Sequence, residues 1–157
     1  MKFYYYKTLL VFSLLLLLAT FSLAQTERDK GIEFYENGNY KTPIESLQKA
    51  VETNENDGEA WQFLGMAFAK MNDRKQARKA FNKADKFSAK NIDETYDIPL
   101  KITRKRVARY TEAARRNGVE GKIKLAVEFR YDGKIGLIFP LTELPDGLTE
   151  NALNAAR

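Results

Sequence analysis

WQFLGMAFAKMNDRKQARKAFNKADKF, Trp61 to Phe87, sets how the first half of the chain folds. Apolar and small residues recur at three- and four-residue steps on both sides of Asn72-Asp73. Trp61, Leu64, Gly65 and Phe68 stand before it, and Ala77, Phe81 and Ala84 after it. This is the period of two amphipathic helices joined by a short turn. Gly65 and Ala77 leave room for the helices to approach closely, and Trp61, Phe68 and Phe81 fill the space beside them as core. Asp73-Arg74-Lys75-Gln76 reads as a capping box that opens the second helix.

Upstream, the same pattern returns at a fixed offset. That offset pairs Gly31 with Gly65, Phe34 with Phe68, Leu47 with Phe81 and Ala50 with Ala84. A helix pair repeated at this period, about 34 residues, resembles the tetratricopeptide repeat. Residues 25–90 are therefore expected to hold two such repeats. The first copy is degraded: Glu27 stands where the Trp should be, and Pro43 where a small Ala should be. In Thr42-Pro43-Ile44-Glu45, Thr42 is expected to cap, Pro43 to take the first helical position and Glu45 to complete the box. That helix should start later than the repeat pattern places it. The resemblance implies that a groove on the concave side is lined by Arg28, Tyr35, Gln62, Met66 and Lys70. Two repeats are fewer than the three or so that usually stack stably, so the array should lean on the following domain or on a partner.

The N-terminus, MKFYYYKTLLVFSLLLLLATFSLAQ, begins with Lys2 and Lys7 and runs apolar from Leu9 to Leu18. It ends Ser22-Leu23-Ala24 before Gln25. These are the basic, apolar and small-x-small parts of a secretory signal peptide over residues 1–24. Cleavage after Ala24 would start the mature chain at Gln25, in the periplasm. The alternative is an uncleaved inner-membrane anchor, because the stretch from Thr8 to Ala24 is at the lower limit for crossing roughly 30 Å of hydrocarbon.

Composition narrows the chemistry. Among 157 residues there is no cysteine and no histidine, which removes disulfides, thiolate metal sites, thiol catalysis and the commonest general base. No phosphate-binding loop or nucleophile motif is present. The chain is not expected to be an enzyme, and no cofactor or metal is expected. Residues 91–109 read as a basic linker, with five Lys/Arg from Lys101 to Arg109. Arg115 and Arg116 raise that to seven cations against Glu112. A solvated linker is the plain reading. The sharper one is contact with peptidoglycan or another anionic surface. Nucleic acid is disfavoured, since no stacking or groove-reading motif accompanies the charge.

From Lys122 the chain alternates strictly. Ile123, Leu125, Val127, Phe129 and Tyr131 share one face, and Asp132-Gly133 is a hairpin turn signal. Ile135, Leu137, Phe139 and Leu141 follow. A three-residue loop, Tyr131-Asp132-Gly133, pairs Phe129 with Ile135 and Val127 with Leu137. A bulge at Gly136 would instead turn Ile138 inward. LPDGLTENALNAAR then reads as a turn and a helix capped near Asp146, with Leu148, Ala152, Leu153 and Ala156 inward. Helix, hairpin, helix behind helical repeats makes the fold class α+β.

Residues 110–157 resemble part of the C-terminal domain of the TonB family, with the likeness starting near Pro99. It rests on Tyr110-Thr111 with Ala114-Arg115, then Gly118, Val119 and Gly121. Asp132-Gly133 and Leu144-Pro145 with Gly147-Leu148 complete it. The resemblance implies a non-enzymatic module that pairs a strand edge with an extended peptide of an outer-membrane TonB-dependent receptor, in transmembrane transport across the Gram-negative cell envelope. Partner contact would fall at Tyr110, Arg115, Lys122, Lys124, Ile135 and Leu137. The family pattern continues into a third strand past the position of Arg157, so the domain is expected to be partial here. The alternative is a periplasmic scaffold or cell-wall-binding protein without energy-transducing activity.

Overall fold

The computed structural model describes residues 22–23, 25–88, 106–130 and 132–157. Most of the signal-like segment, most of the basic linker and Tyr131 therefore lie outside the described residues. The chain divides into two compact units, Met1–Lys90 and Asn91–Arg157.

In the first unit, α1 (residues 25–36), α2 (Thr42–Thr53), α3 (Gly58–Lys70) and α4 (Arg74–Ser88) form two helix pairs. The two glycines related by the repeat offset do the same job in both. A Cβ on Gly31 would lie 2.5 Å from Leu47, and one on Gly65 would lie 2.8 Å from the Phe81 ring. Leu47 and Phe81 are related by the same offset, so each pair closes on a glycine hole filled by the equivalent side chain. Leu47, Ala50 and Val51 of α2, Ala60 and Leu64 of α3, and Ala80 of α4 form the buried core, with Ile44, Trp61, Phe63 and Phe68 packed against it. Trp61, Phe68 and the buried Phe81 are thus core, as the spacing implies.

The turns within the pairs also match. Gly38 and Asn72, equivalent positions in the two copies, both take positive φ, 79° and 61°. The amide after each donates to the equivalent carbonyl, Asn39 to Phe34 and Asp73 to Phe68. Glycine enters this left-handed region freely and asparagine tolerates it. Asp73 accepts the Gln76 N–H at 3.1 Å, which confirms the cap on α4. Thr42, however, is not the cap on α2. Asn39 Oδ1 accepts the Thr42 N–H at 3.3 Å, and the Thr42 hydroxyl accepts from Asn39 Nδ2. An amide three residues upstream reaches a free helix-end N–H that the hydroxyl of Thr42, already inside the first turn, cannot. Pro43 does stand in the first turn. The helix begins at Thr42, beyond Tyr40, which is the equivalent of Arg74 where α4 begins.

The second unit contains α5 (Glu112–Asn117), β1 (Leu125–Phe129), β2 (Ile135–Pro140) and α6 (Leu148–Ala155). Helical repeats with a small antiparallel sheet make the chain α+β. Thr111 caps α5 by accepting the Ala114 N–H, and Gly118 ends it at φ 62°. Thr111 also donates its hydroxyl to the Asp146 carbonyl at 2.7 Å, and Asn117 Nδ2 donates to the Asp146 carboxylate at 2.9 Å. Asp146 therefore ties α5 to the turn before α6. It does not cap α6, whose N-cap is Gly147 with no side-chain bond.

Candidate partner-binding surfaces

On the helical unit, the five expected groove positions separate into three kinds. Tyr35 and Met66 are buried, which corrects their expected role as ligand contacts. Tyr35 packs its ring on Tyr40 at 5.3 Å and edge-on against Phe63 at 5.6 Å. Aromatic area beside a neighbouring repeat is more stable covered than wet. Arg28 is a brace: its guanidinium meets Asp29 at 3.0 Å, and Asp57 and Glu59 at the start of α3 at 3.5 Å each. Gln62 and Lys70 are exposed, and the Lys70 ammonium stands 5.5 Å from the Tyr40 ring. Of the five positions, the accessible ones are Gln62 and Lys70, with Tyr40 half-buried beside Lys70. Tyr40 was not foreseen from sequence, because it follows the end of α1 and falls outside the helical period.

A second knot holds the back of the repeats. The Trp61 indole N–H donates to the Glu55 carbonyl at 2.8 Å, and Lys83 of α4 donates to the Glu55 carboxylate. The Lys83 ammonium also lies 5.8 Å from the Trp61 and Phe87 rings. The bond to Lys83 and its positive charge hold the Glu55 carboxyl below the usual carboxylate range.

On the second unit, the hairpin register resolves as a bulge. Arg130 donates to Lys134 and accepts from Gly133 across a three-residue loop, and Phe129 pairs with Ile135. Val127 then pairs with Ile138, Ala126 with Phe139 and Leu125 with Pro140. The pairing of Val127 with Leu137 does not form. Gly136 and Leu137 together oppose Glu128, whose carboxylate accepts the Leu137 N–H at 2.7 Å. Any Cβ on Gly136 would collide with that carboxylate. A carboxylate on the liberated amide is what stabilises the extra residue. The alternating face is also less buried than expected: Phe129 is 53 % exposed and Ile135 38 %, whereas Phe139, opposite Ala126, is buried.

Of the expected contact residues, Tyr110 spends its phenol on the Val119 carbonyl at 2.6 Å, closing the loop around α5 while its ring stays partly exposed. Arg115 is exposed and pairs with Glu112 at 3.1 Å. Lys122 and Lys124 are exposed or nearly so, but their backbones are stapled by Thr142. Its hydroxyl accepts from the Lys124 N–H at 2.8 Å and donates to the Lys122 carbonyl at 3.1 Å. Ile135 is open, and Leu137 is half-buried with its amide taken by Glu128.

Backbone geometry defines one more surface. Lys124 accepts from Leu141, and Arg130 bonds Lys134. Even-numbered residues of β1 therefore face β2, and Leu125, Val127 and Phe129 point their N–H and C=O groups away from it. On β2 the outward positions are Ile135, Ile138 and Pro140, and Pro140 has no N–H to offer. Among the described residues no third strand joins the pair. The outer edge of β1 thus carries an N–H and a C=O at each of its outward residues, whereas that of β2 is broken by a bulge and a proline. Pro140 was the sequence signal for this difference.

Among the described residues there is no cluster of metal-ligating side chains and no helix long and apolar enough to cross a membrane. Residues 58–91 match the tetratricopeptide repeat family. Repeats of this kind are typically non-enzymatic modules for binding other proteins. No curated protein matches the chain.

Proposed function

We propose that the chain is an exported, periplasmic adaptor with TonB-like character, whose repeats and hairpin unit both make protein–protein contacts at the outer membrane. The observation that carries this reading is the outer edge of β1. Leu125, Val127 and Phe129 present an unbroken row of peptide groups, with the exposed Phe129–Ile135 pair beside it. A free edge of this kind invites an added strand. Backbone hydrogen bonds then supply affinity, and alternate side chains supply selectivity. The occupant is an extended peptide of an outer-membrane TonB-dependent receptor, laid along β1 with Lys122 and Lys124 at the entry to the edge. A two-stranded hairpin is marginal by itself, so strand addition also stabilises the unit that performs it.

The test is titration of isotope-labelled full-length chain with a receptor-derived extended peptide. Amide shifts should concentrate at Leu125, Val127 and Phe129, and Val127→Pro should abolish them while leaving the Ala126–Phe139 pairing in place. Shifts centred on Ile138, or none at all, would sink the reading. Export is tested separately by sequencing the N-terminus of the protein recovered from the periplasm, where Gln25 is expected first.

A second reading is favoured by the exposure of Arg106, Arg109, Arg115 and Arg116. It is a cell-wall or anionic-surface contact, and it predicts a peptidoglycan pull-down that falls away as salt is raised.

A further inference from the structure

The two repeats carry opposite charge. Residues 25–57 hold eight carboxylates against four cations, and residues 58–88 hold seven cations against three carboxylates. The imbalance is concentrated at the two ends of the helical unit. On α1, Asp29, Glu33 and Glu36 are exposed at steps of four and three, which places them on one side of the helix. On α4, Lys75, Lys79 and Lys86 are exposed at steps of four and seven, also on one side. Glu33 and Glu36 form no ion pair with a described residue, and neither do Lys75, Lys79 and Lys86.

The equivalence of positions between the repeats shows how the described ends differ from the middle of the unit. Phe68 packs against the core to which α2 contributes Leu47, Ala50 and Val51. Phe34, its equivalent on α1, is 38 % exposed, with no described helix ahead of α1 to cover it. At the other end, Ile44 and Val51 of α2 are replaced in α4 by Arg78 and Asp85. These two positions lie on the flank of α4, beside the lysine side, and carry charge where α2 has an apolar seat.

We propose that the helical unit associates head to tail with a second copy of this chain, the basic side of α4 in one copy seated on the acidic side of α1 in the next. Opposite charge on the two ends favours this occupant over an anionic surface, which would attract α4 and repel the first repeat. The contact is heterologous, so it adds copies in one direction. It rests on reading residues 25–88 as stacked repeats and is independent of the strand-addition reading.

The experiment is sedimentation of the full chain, purified as its host processes it, at low and high salt. The mean mass should rise with concentration in dilute buffer and return to that of a monomer near about 0.5 M salt, where screening shortens to a few ångströms. A monomer at all salts, or an assembly indifferent to salt, overturns the proposal. Two variants make the test specific: Lys75→Glu/Lys79→Glu/Lys86→Glu and Glu33→Lys/Glu36→Lys. Each should be monomeric alone, and an equimolar mixture should associate, which also shows that both remain folded. Variants that associate separately as the unaltered chain does, or a mixture that stays monomeric, overturn it too. In either case a peptide titration of the β1 edge is unaffected, so failure here is distinguishable from failure of the receptor-binding reading.

Discussion

The two helix pairs make the same turn with different residues. Gly38 in one and Asn72 in the other adopt positive φ, and Asn39 and Asp73 each accept the amide three residues on, at the start of the helix that follows. Leu47 and Phe81 fill the holes over Gly31 and Gly65. What differs is part of what a family pattern scores: the Trp is Glu27 in the first copy, and Pro43 stands where the second has Ala77. The backbone requirements survive because each has a narrow chemical solution, namely a residue that tolerates the left-handed region, a short side-chain acceptor and a missing Cβ. Where a large side chain only fills space, as Leu47 does for Phe81, any apolar residue of suitable volume serves.

Deleting the side chain over each glycine puts this equivalence at greatest risk. Phe81→Ala should cost about 3–5 kcal/mol and Leu47→Ala about 2–5 kcal/mol in urea unfolding. A cost below about 1 kcal/mol for Leu47→Ala would show that the first copy does not stack as the second does.

A smaller contrast separates the polar support of the hairpin from its apolar display. Glu128→Ala removes a charged acceptor from the Leu137 amide and should destabilise by about 1–3 kcal/mol. Phe129→Ala, on the exposed pair, should stay within about 0.5 kcal/mol. If the two were equal, the bulge would not be held by the carboxylate.

The caps test the repeat equivalence more finely. Asn39→Ala and Asp73→Ala should each cost about 1 kcal/mol, and Thr42→Ala measurably less, because its backbone N–H still reaches Asn39. A larger loss at Thr42 than at Asn39 would reverse the cap assignment on α2.

The smallest effect is electrostatic. The folded-state pKa of Glu55 lies below its unfolded value. Its stabilising contribution is therefore present above the ordinary carboxylate range and is lost as pH falls through the folded pKa. Carboxyl-carbon NMR titration should give Glu55 a depressed midpoint that Lys83→Met returns towards the ordinary value. An unchanged midpoint would remove Lys83 as the cause.

Much of the fold was legible in the residues. The repeat offset located both helix pairs, and Asp73 was readable as a cap. The same offset pointed to the side-chain acceptor at the start of α2, since it carries Asp73 back to Asn39. Thr42 imitates a cap locally, because a hydroxyl stands directly before a proline there. The candidate site was less legible. Tyr35 and Met66 sit at groove positions by period, but period assigns a direction around a helix axis and says nothing of what a neighbour then covers. Alternation likewise identified the strands without setting their register, because a single bulged residue shifts every pair beyond it.

Local structure followed from the residues alone: helical and alternating periods, the glycines and asparagines at turns, the proline that weakens one sheet edge, and the opposite charge of the two repeats. These depend on neighbours along the chain, whose geometry each residue restricts directly. The folded arrangement was needed to show that Glu128 reaches the Leu137 amide, that Tyr110 closes on Val119, that Asp146 joins Thr111 and Asn117, and that β1 keeps the intact edge. Those depend on which distant groups share a few ångströms of space, and hydrogen bonds and collisions act only at that range.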